Sequence, residues 1–192
     1  MKKVALILTP GFADWEYSLI AGTSTYYGVD VQFYSPTPGV FHSQGGLSVT
    51  VDGTLQQCLM WLPDVVVIIG GTIWETKNAP DLRQFLHTCN NESHAAIAGI
   101  CGGTLALARA GLLNNITHTS NNPSFLLENA DGYTGNHYYC NSAVAVVSDG
   151  IITSSGSAPV SFTTTVFQMA GVPVSNINQL KQMLAAEHLE SI

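Results

Sequence analysis

The chain has 192 residues, the length of one domain, and its 46% apolar content is enough for a large core and too high for intrinsic disorder. Six basic residues against thirteen acidic ones leave a formal charge of −7, which argues against a nucleic-acid-binding face and against a basic helix lying on a membrane. Charged residues make up only 10% of the chain, a scarcity that fits a buried sheet and a large subunit interface, so a homodimer is expected.

Lys2 and Lys3 precede a short apolar run that stops at Thr9-Pro10-Gly11, too short for a secretory leader. No stretch approaches the roughly 18 apolar residues of a membrane span. The expected location is the cytoplasm, a reducing compartment in which Cys58, Cys89, Cys101 and Cys140 would be free thiols; none has the CxxC spacing of a zinc ribbon or a thioredoxin motif.

Residues 4–9 (VALILT) form a continuous apolar run, the pattern of a parallel strand buried on both faces. Residues 15–27 carry apolar side chains at helical spacing, with Asp14 as N-cap and Gly28 as terminator. A second strand is expected at 29–35, a hairpin around Gly45-Gly46 within 40–51, and a short helix at 55–61. The β-branched run in PDVVVIIGG is the clearest strand of the chain. A helix at 80–90, a buried strand at 95–100 and an Ala/Leu-rich helix at 102–112 follow. The remaining elements are a helix at 123–129, a hairpin through Ser148-Asp149-Gly150, and closing helices at 160–170 and 177–188. Strands alternate with helices over residues 1–192, which predicts a single α/β domain with a mostly parallel, doubly wound sheet. Ligands of such sheets lie beyond the carboxyl ends of the strands, which directs attention to 10–16, 70–74, 99–103 and the turn near His118.

At 99–103 a predicted buried strand runs into Gly99-Ile100-Cys101-Gly102-Gly103, and a helix starts at once. This is a nucleophile elbow with cysteine in place of serine: a sharp strand-to-helix turn needs small neighbours, and a helix amino end favours a thiolate. The competing reading is an inert buried cysteine beside a tight turn. The amides of Gly71 or Thr72, with that of Gly102, would form an oxyanion hole; alternatively the Gly70-Gly71 pair is simply a βα turn. Glu16 is either a buried carboxyl with a raised pKa that hydrogen-bonds the sulfur, or a charge that complements the helix dipole. His118 is either the general base or thiolate partner, or a surface turn histidine, and Glu128 and Asp131 are candidate third members of a triad. Trp15 and Trp74, with Phe12, are expected at the rim of an apolar pocket suited to a small, weakly polar molecule. The other histidines have no ligand spacing and no GxGxxG follows the first strand, so neither a metal nor a dinucleotide cofactor is expected.

These residues resemble the ThiJ/PfpI superfamily, the class I glutamine amidotransferase-like proteins. The resemblance rests on Glu16 just after the first strand, IIGG at 68–71, GICGG at 99–103 leading into a helix that ends AGLL, and Thr117-His118, and it spans about residues 3–172. The stretch THTSN and Trp74 point to its amidotransferase-like bacterial branch, labelled intracellular protease. It implies a flavodoxin-like three-layer sandwich, usually dimeric, with Cys101 as nucleophile, a protonated Glu16 hydrogen-bonded to it, and His118 nearby. It implies a hydrolase-like enzyme acting on a small carbonyl or amide (glyoxalase, deglycase or small-amide hydrolase), or else a stress-response protein whose Cys101 is oxidised to a sulfinate without turnover. Protease-like members carry His directly after the cysteine, where this chain has Gly102, and the late His-x-Glu of the amidotransferases is missing. Peptidase and glutamine amidotransferase activity are therefore less expected.

Overall fold

The computed structural model describes the backbone of residues 1–189 and the side chains of residues 1–186. In chain order its strands are β1 (Lys2–Ile7), β2 (Val29–Ser35), β3 (Phe41–His42), β4 (Ser48–Val49), β5 (Gly53–Thr54), β6 (Val65–Ile68), β7 (Ala96–Ile100), β8 (Val146–Ser148) and β9 (Ile151–Ser154). The helices are α1 (Asp14–Thr23), α2 (Leu55–Trp61), α3 (Arg83–His87), α4 (Gly103–Arg109), α5 (Pro123–Asn129), α6 (Pro159–Met169) and α7 (Val174–Leu189). Seven strands form one sheet in the order β5-β2-β1-β6-β7-β9-β8, parallel except where β8 runs back along β9. β3 and β4 make a separate antiparallel hairpin.

The central strands are apolar throughout because both faces of the sheet are covered. In β1, Ala5 and Ile7 enter one core while Val4 and Leu6 enter the other; in β6, Val66 and Ile68 divide from Val65 and Val67 in the same way. The first core is closed by residues of α2, α3, α4 and α5, the second by residues of α1, α6 and α7. This is the expected flavodoxin-like three-layer sandwich with a mostly parallel central sheet. Strand order reverses between β1 and β6, so a crevice opens where their carboxyl ends diverge. The elbow follows β7, the next strand over.

Several local expectations shift. The N-cap of α1 is Ala13, not Asp14; the Asp14 carboxylate instead accepts the Gly45 amide at 2.8 Å and ties the β3–β4 hairpin to the helix. The 15–27 helix is α-helical only to Thr23 and tightens into a 3₁₀ turn over Ser24–Tyr27. The 80–90 helix begins at Arg83 and widens into a π turn over Thr88–Glu92. Two residues of β5 join the sheet beside β2, too short a strand to leave a periodic signal. Both hairpins form where expected.

Gly103 is where the sandwich is tightest: a Cβ there would overlap the Ile68 carbonyl of β6, so α4 can press onto the sheet only without one. Gly22, in α1, has open space around it and an ordinary helical backbone. Gly103→Ala is expected to destabilise the fold by about 3 kcal/mol, the strong end of overpacking effects. Gly22→Ala should leave it unchanged or stabilise it by up to about 1 kcal/mol. Urea unfolding of the two variants checks the pair.

Candidate active site

β7 delivers its last residue, Ile100, between β6 and β9, and the chain reverses at Cys101 with φ +52°, a left-handed conformation that costs a non-glycine residue energy. Neighbouring elements hold it there. The Cys101 amide donates to the Ser154 carbonyl at the end of β9 (2.9 Å), and its carbonyl accepts from the Thr104 amide (3.1 Å) and hydroxyl (2.6 Å). The sulfur is left half-buried at the mouth of the crevice.

Glu16 approaches from α1. It shares the inward face of that helix with Ile20, four residues on, and is as fully buried as the isoleucine. One carboxyl oxygen, Oε2, accepts the Gly70 amide at 2.7 Å; the other, Oε1, has no hydrogen-bond partner. Burial pushes Glu16 up to about 7, opposed by the Gly70 amide and by the nearby Cys101 thiol. Burial also pushes the Cys101 thiol up to about 11, and the Glu16 charge adds to this; hydrogen bonds from Asn121 and from the Gly102 amide oppose it. Burial and the facing Glu16 carboxylate thus oppose the thiolate that a helix amino end favours.

Main chain forms the walls. A Cβ on Gly70 would lie 2.5 Å from Glu16 Oε2 and 2.9 Å from Cys101 Cβ; one on Gly156 would lie 3.1 Å from the sulfur and 3.2 Å from Oε1. Both glycines keep clear the space that a reacting group must enter. Asn121 Nδ2 donates to the sulfur at 3.3 Å while its Oδ1 accepts the Gly156 amide at 3.1 Å. Trp15, half exposed, stands at the edge and donates its indole N–H to the Gly156 carbonyl at 3.0 Å.

The structure thus brings Cys101, Glu16, Gly70, Gly102 and Trp15 together, and separates other expected members. Trp74 is not at a rim: it is fully buried beneath Gly102, its indole N–H donated to the Ile69 carbonyl at 2.9 Å. Phe12 is likewise core. Thr72 is removed from the oxyanion set because its amide donates to the Gly11 carbonyl, which leaves Gly71 and Gly102. His118 is fully buried and does not face the sulfur. Its Nδ1 donates to the Ile116 carbonyl (2.8 Å), so its Nε2 accepts from the Tyr133 hydroxyl (2.8 Å). Burial holds this ring below the ordinary histidine range, which fits a neutral imidazole packed edge-on against Tyr133 and Tyr139. Glu128 and Asp131 are exposed and neither is its partner. Among the described residues no group of three or more His, Cys, Asp or Glu side chains converges as metal ligands would.

Asn121 and Gly156 escape the sequence reading. A signal existed for Gly156: SSGS follows β9, and β9 pairs with the strand that carries the elbow, so the loop after it must border the sulfur. Asn121 had none, since it is one of several asparagines in a polar loop.

Comparison with known proteins bears on this site. The model of the DJ-1/PfpI family matches residues 2–169. A Bacillus subtilis protein described as the uncharacterized protease YoaZ is 32% identical over 180 residues, covering 89% of this chain and 84% of its own. A second one, the uncharacterized protease YdeA, is 30% identical over 172 residues, covering 88% and 83%. The crystal structure of the DJ-1 superfamily protein Atu0886 from Agrobacterium tumefaciens superposes with a TM-score of 0.90 at 34% identity, covering 98% of this chain and 100% of that one.

The Glu16 carboxyl has a pH signature. Its pKa rises from 4.5 to about 7 on folding, so the folded state binds the proton more tightly. The stability this contributes is complete below about 4.5 and is lost as pH climbs through about 7, a loss of about 3 kcal/mol for a shift of this size. Urea unfolding between pH 5 and pH 8 should show the decline in the native protein and its absence in Glu16→Gln.

Proposed function

The chain belongs to the DJ-1/PfpI family, and from that premise we propose that it is a cysteine-dependent enzyme in which Cys101 attacks a small, uncharged carbonyl or amide compound. The observation that carries this reading is the pairing of a half-buried thiol, held in a strained elbow, with a buried carboxyl poised near neutrality. A group whose pKa lies near the working pH is the best acid–base catalyst, and Glu16 faces the one proton that must move.

Ionised Glu16 takes the proton from the thiol, and the sulfur adds to the carbonyl carbon. The carbonyl π electrons pass to oxygen, which the amides of Gly71 and Gly102 stabilise. Glu16 then returns the proton, to that oxygen for an aldehyde or to the departing nitrogen for an amide. In the hemithioacetal of a 2-oxoaldehyde, ionised Glu16 carries the C–H proton through an enediol to the neighbouring carbon, which leaves a 2-hydroxyacyl thioester; an amide leaves its acyl thioester directly, and water hydrolyses either one to free the thiol. The space above Gly70 and Gly156 suits a small group with little bulk next to its carbonyl. With a buried carboxylate facing the sulfur, uncharged substrates are favoured over anionic ones.

The relatives named as proteases make peptide hydrolysis the natural comparison. Here the His118 ring is engaged by Tyr133 and the residue after Cys101 is glycine, which supports small-molecule chemistry instead. A second reading, oxidation of Cys101 to a sulfinate in a stress response without turnover, is favoured by Glu16 Oε1, whose unpartnered oxygen would meet an oxygen on the sulfur. The proposal extends to a cytoplasmic homodimer with a small-molecule substrate and no resident cofactor, for which family membership and the −7 charge are the support.

Methylglyoxal consumption without glutathione tests the enzyme. Turnover should rise with pH through about 7 as Glu16 ionises, and Cys101→Ser should lower it by about a thousandfold or more. Full activity in the serine variant would remove Cys101 from the mechanism. Two equivalents of peroxide, one for each oxidation step, followed by intact mass measurement check the second reading: a gain of two oxygens, lost in the serine variant, with no turnover of methylglyoxal.

A further inference from the structure

We propose that Asn121 is the third functional side chain of the site, a neutral amide that aims the Cys101 sulfur and pins the β9–α6 loop over it. The proposal rests on Cys101 being the reactive group.

The amide orientation follows from its partners. The Gly156 main chain can only donate here, so Asn121 must present Oδ1 to it (3.1 Å), and this turns Nδ2 toward the sulfur (3.3 Å). The Gly156 peptide is held on its other side by the Trp15 indole at 3.0 Å. A side chain exposed to solvent, as Asn121 is, would normally sample several rotamers; here both ends of the amide are engaged.

The backbone leading to Asn121 is fixed just as closely. The Thr119 amide donates to Thr153 Oγ1 of β9 (2.9 Å), Ser120 Oγ is 2.7 Å from Thr104 Oγ1 of α4, and the Ser120 carbonyl accepts from the Tyr139 hydroxyl (3.1 Å). The same Thr104 hydroxyl donates to the Cys101 carbonyl. Asn121 is therefore the next residue after a segment bolted to α4, which the elbow opens, and to β9, the strand beside β7. The buried His118–Tyr133 pair anchors the start of that segment, which gives His118 a structural place in this arrangement.

A neutral donor can strengthen a negative sulfur but cannot take its proton. From the other elements packed against Cys101 come Gly70 after β6, Gly102 in the elbow and Gly156 after β9, none of which titrates. Glu16 of α1 is the titratable group that faces it among the described residues, so proton transfer falls to Glu16 and orientation to Asn121.

The test is the rate at which iodoacetamide, an uncharged reagent, alkylates Cys101 as a function of pH, read by peptide mass spectrometry so that the other cysteines do not contribute. Asn121→Leu, uncharged and close in shape, and Asn121→Ala both lose the donor to sulfur without placing a new charge beside it. Both variants should move the midpoint of thiolate formation upward by about one unit, which is about tenfold slower alkylation at a fixed pH below it. Asn121→Leu carries the test if the alanine variant does not fold. Curves that superimpose on the native one would overturn the proposal, even with a lowered melting temperature, because Asn121 would then serve loop packing alone. The readout is independent of turnover. A native protein that consumes no methylglyoxal, yet whose alkylation midpoint moves in the variants, refutes the enzymatic reading and upholds this one.

Discussion

Glu16 has no water to solvate it, one backbone amide to accept, and a sulfur opposite its free oxygen. An isolated carboxylate so buried would be intolerable, and the site is arranged around that difficulty. The Gly70 amide lowers the cost of the charged form, burial raises it, and the balance settles near neutrality. Everything that supplies this carboxyl is structural: α1 turns it inward on the same face as Ile20, and the end of β6 offers the amide because the sheet changes direction there. Proton affinity at one atom is thus set by the topology of the whole sheet.

The sulfur meets a parallel constraint. Its backbone is strained, and strain persists only when surroundings over-determine it. Three do so: β9 through Ser154, α4 through Thr104, and β6 through the close approach at Gly103. The two apolar cores lie on opposite faces of the sheet, and the elbow stands at the carboxyl end of an interior strand with contacts to both. Cys101 packs against one of them, while Gly102 covers Trp74 of the other.

The strands and the elbow were legible because their signals are local. A β-branched run ending in two glycines, and a cysteine between small residues ahead of an Ala/Leu helix, describe their own geometry. What stayed hidden was the direction in which side chains turn after a loop. Trp74 follows the glycine pair, where a rim residue would be, yet its indole finds the Ile69 carbonyl five residues back and the ring folds under the elbow. His118 lies at a plausible distance along the chain for a base, but Tyr133, fifteen residues later, claims its ring in a contact with no periodic trace. Asn121 was hidden for the converse reason: an amide becomes distinctive only when two partners fix its ends. The balance at the sulfur was hidden too, because the burial and the facing carboxylate that oppose a thiolate come from residues distant in the sequence.

The recess beside the sulfur is bounded by peptide backbone at positions 70 and 156, where a Cβ would meet Cys101 and the Glu16 carboxyl. Backbone cannot be trimmed or lengthened one methylene at a time as a side-chain lining can. Diversification of what this recess admits is therefore confined to its two movable borders, the indole at position 15 and the amide at position 121. The inner contour stays constant for as long as the fold itself does.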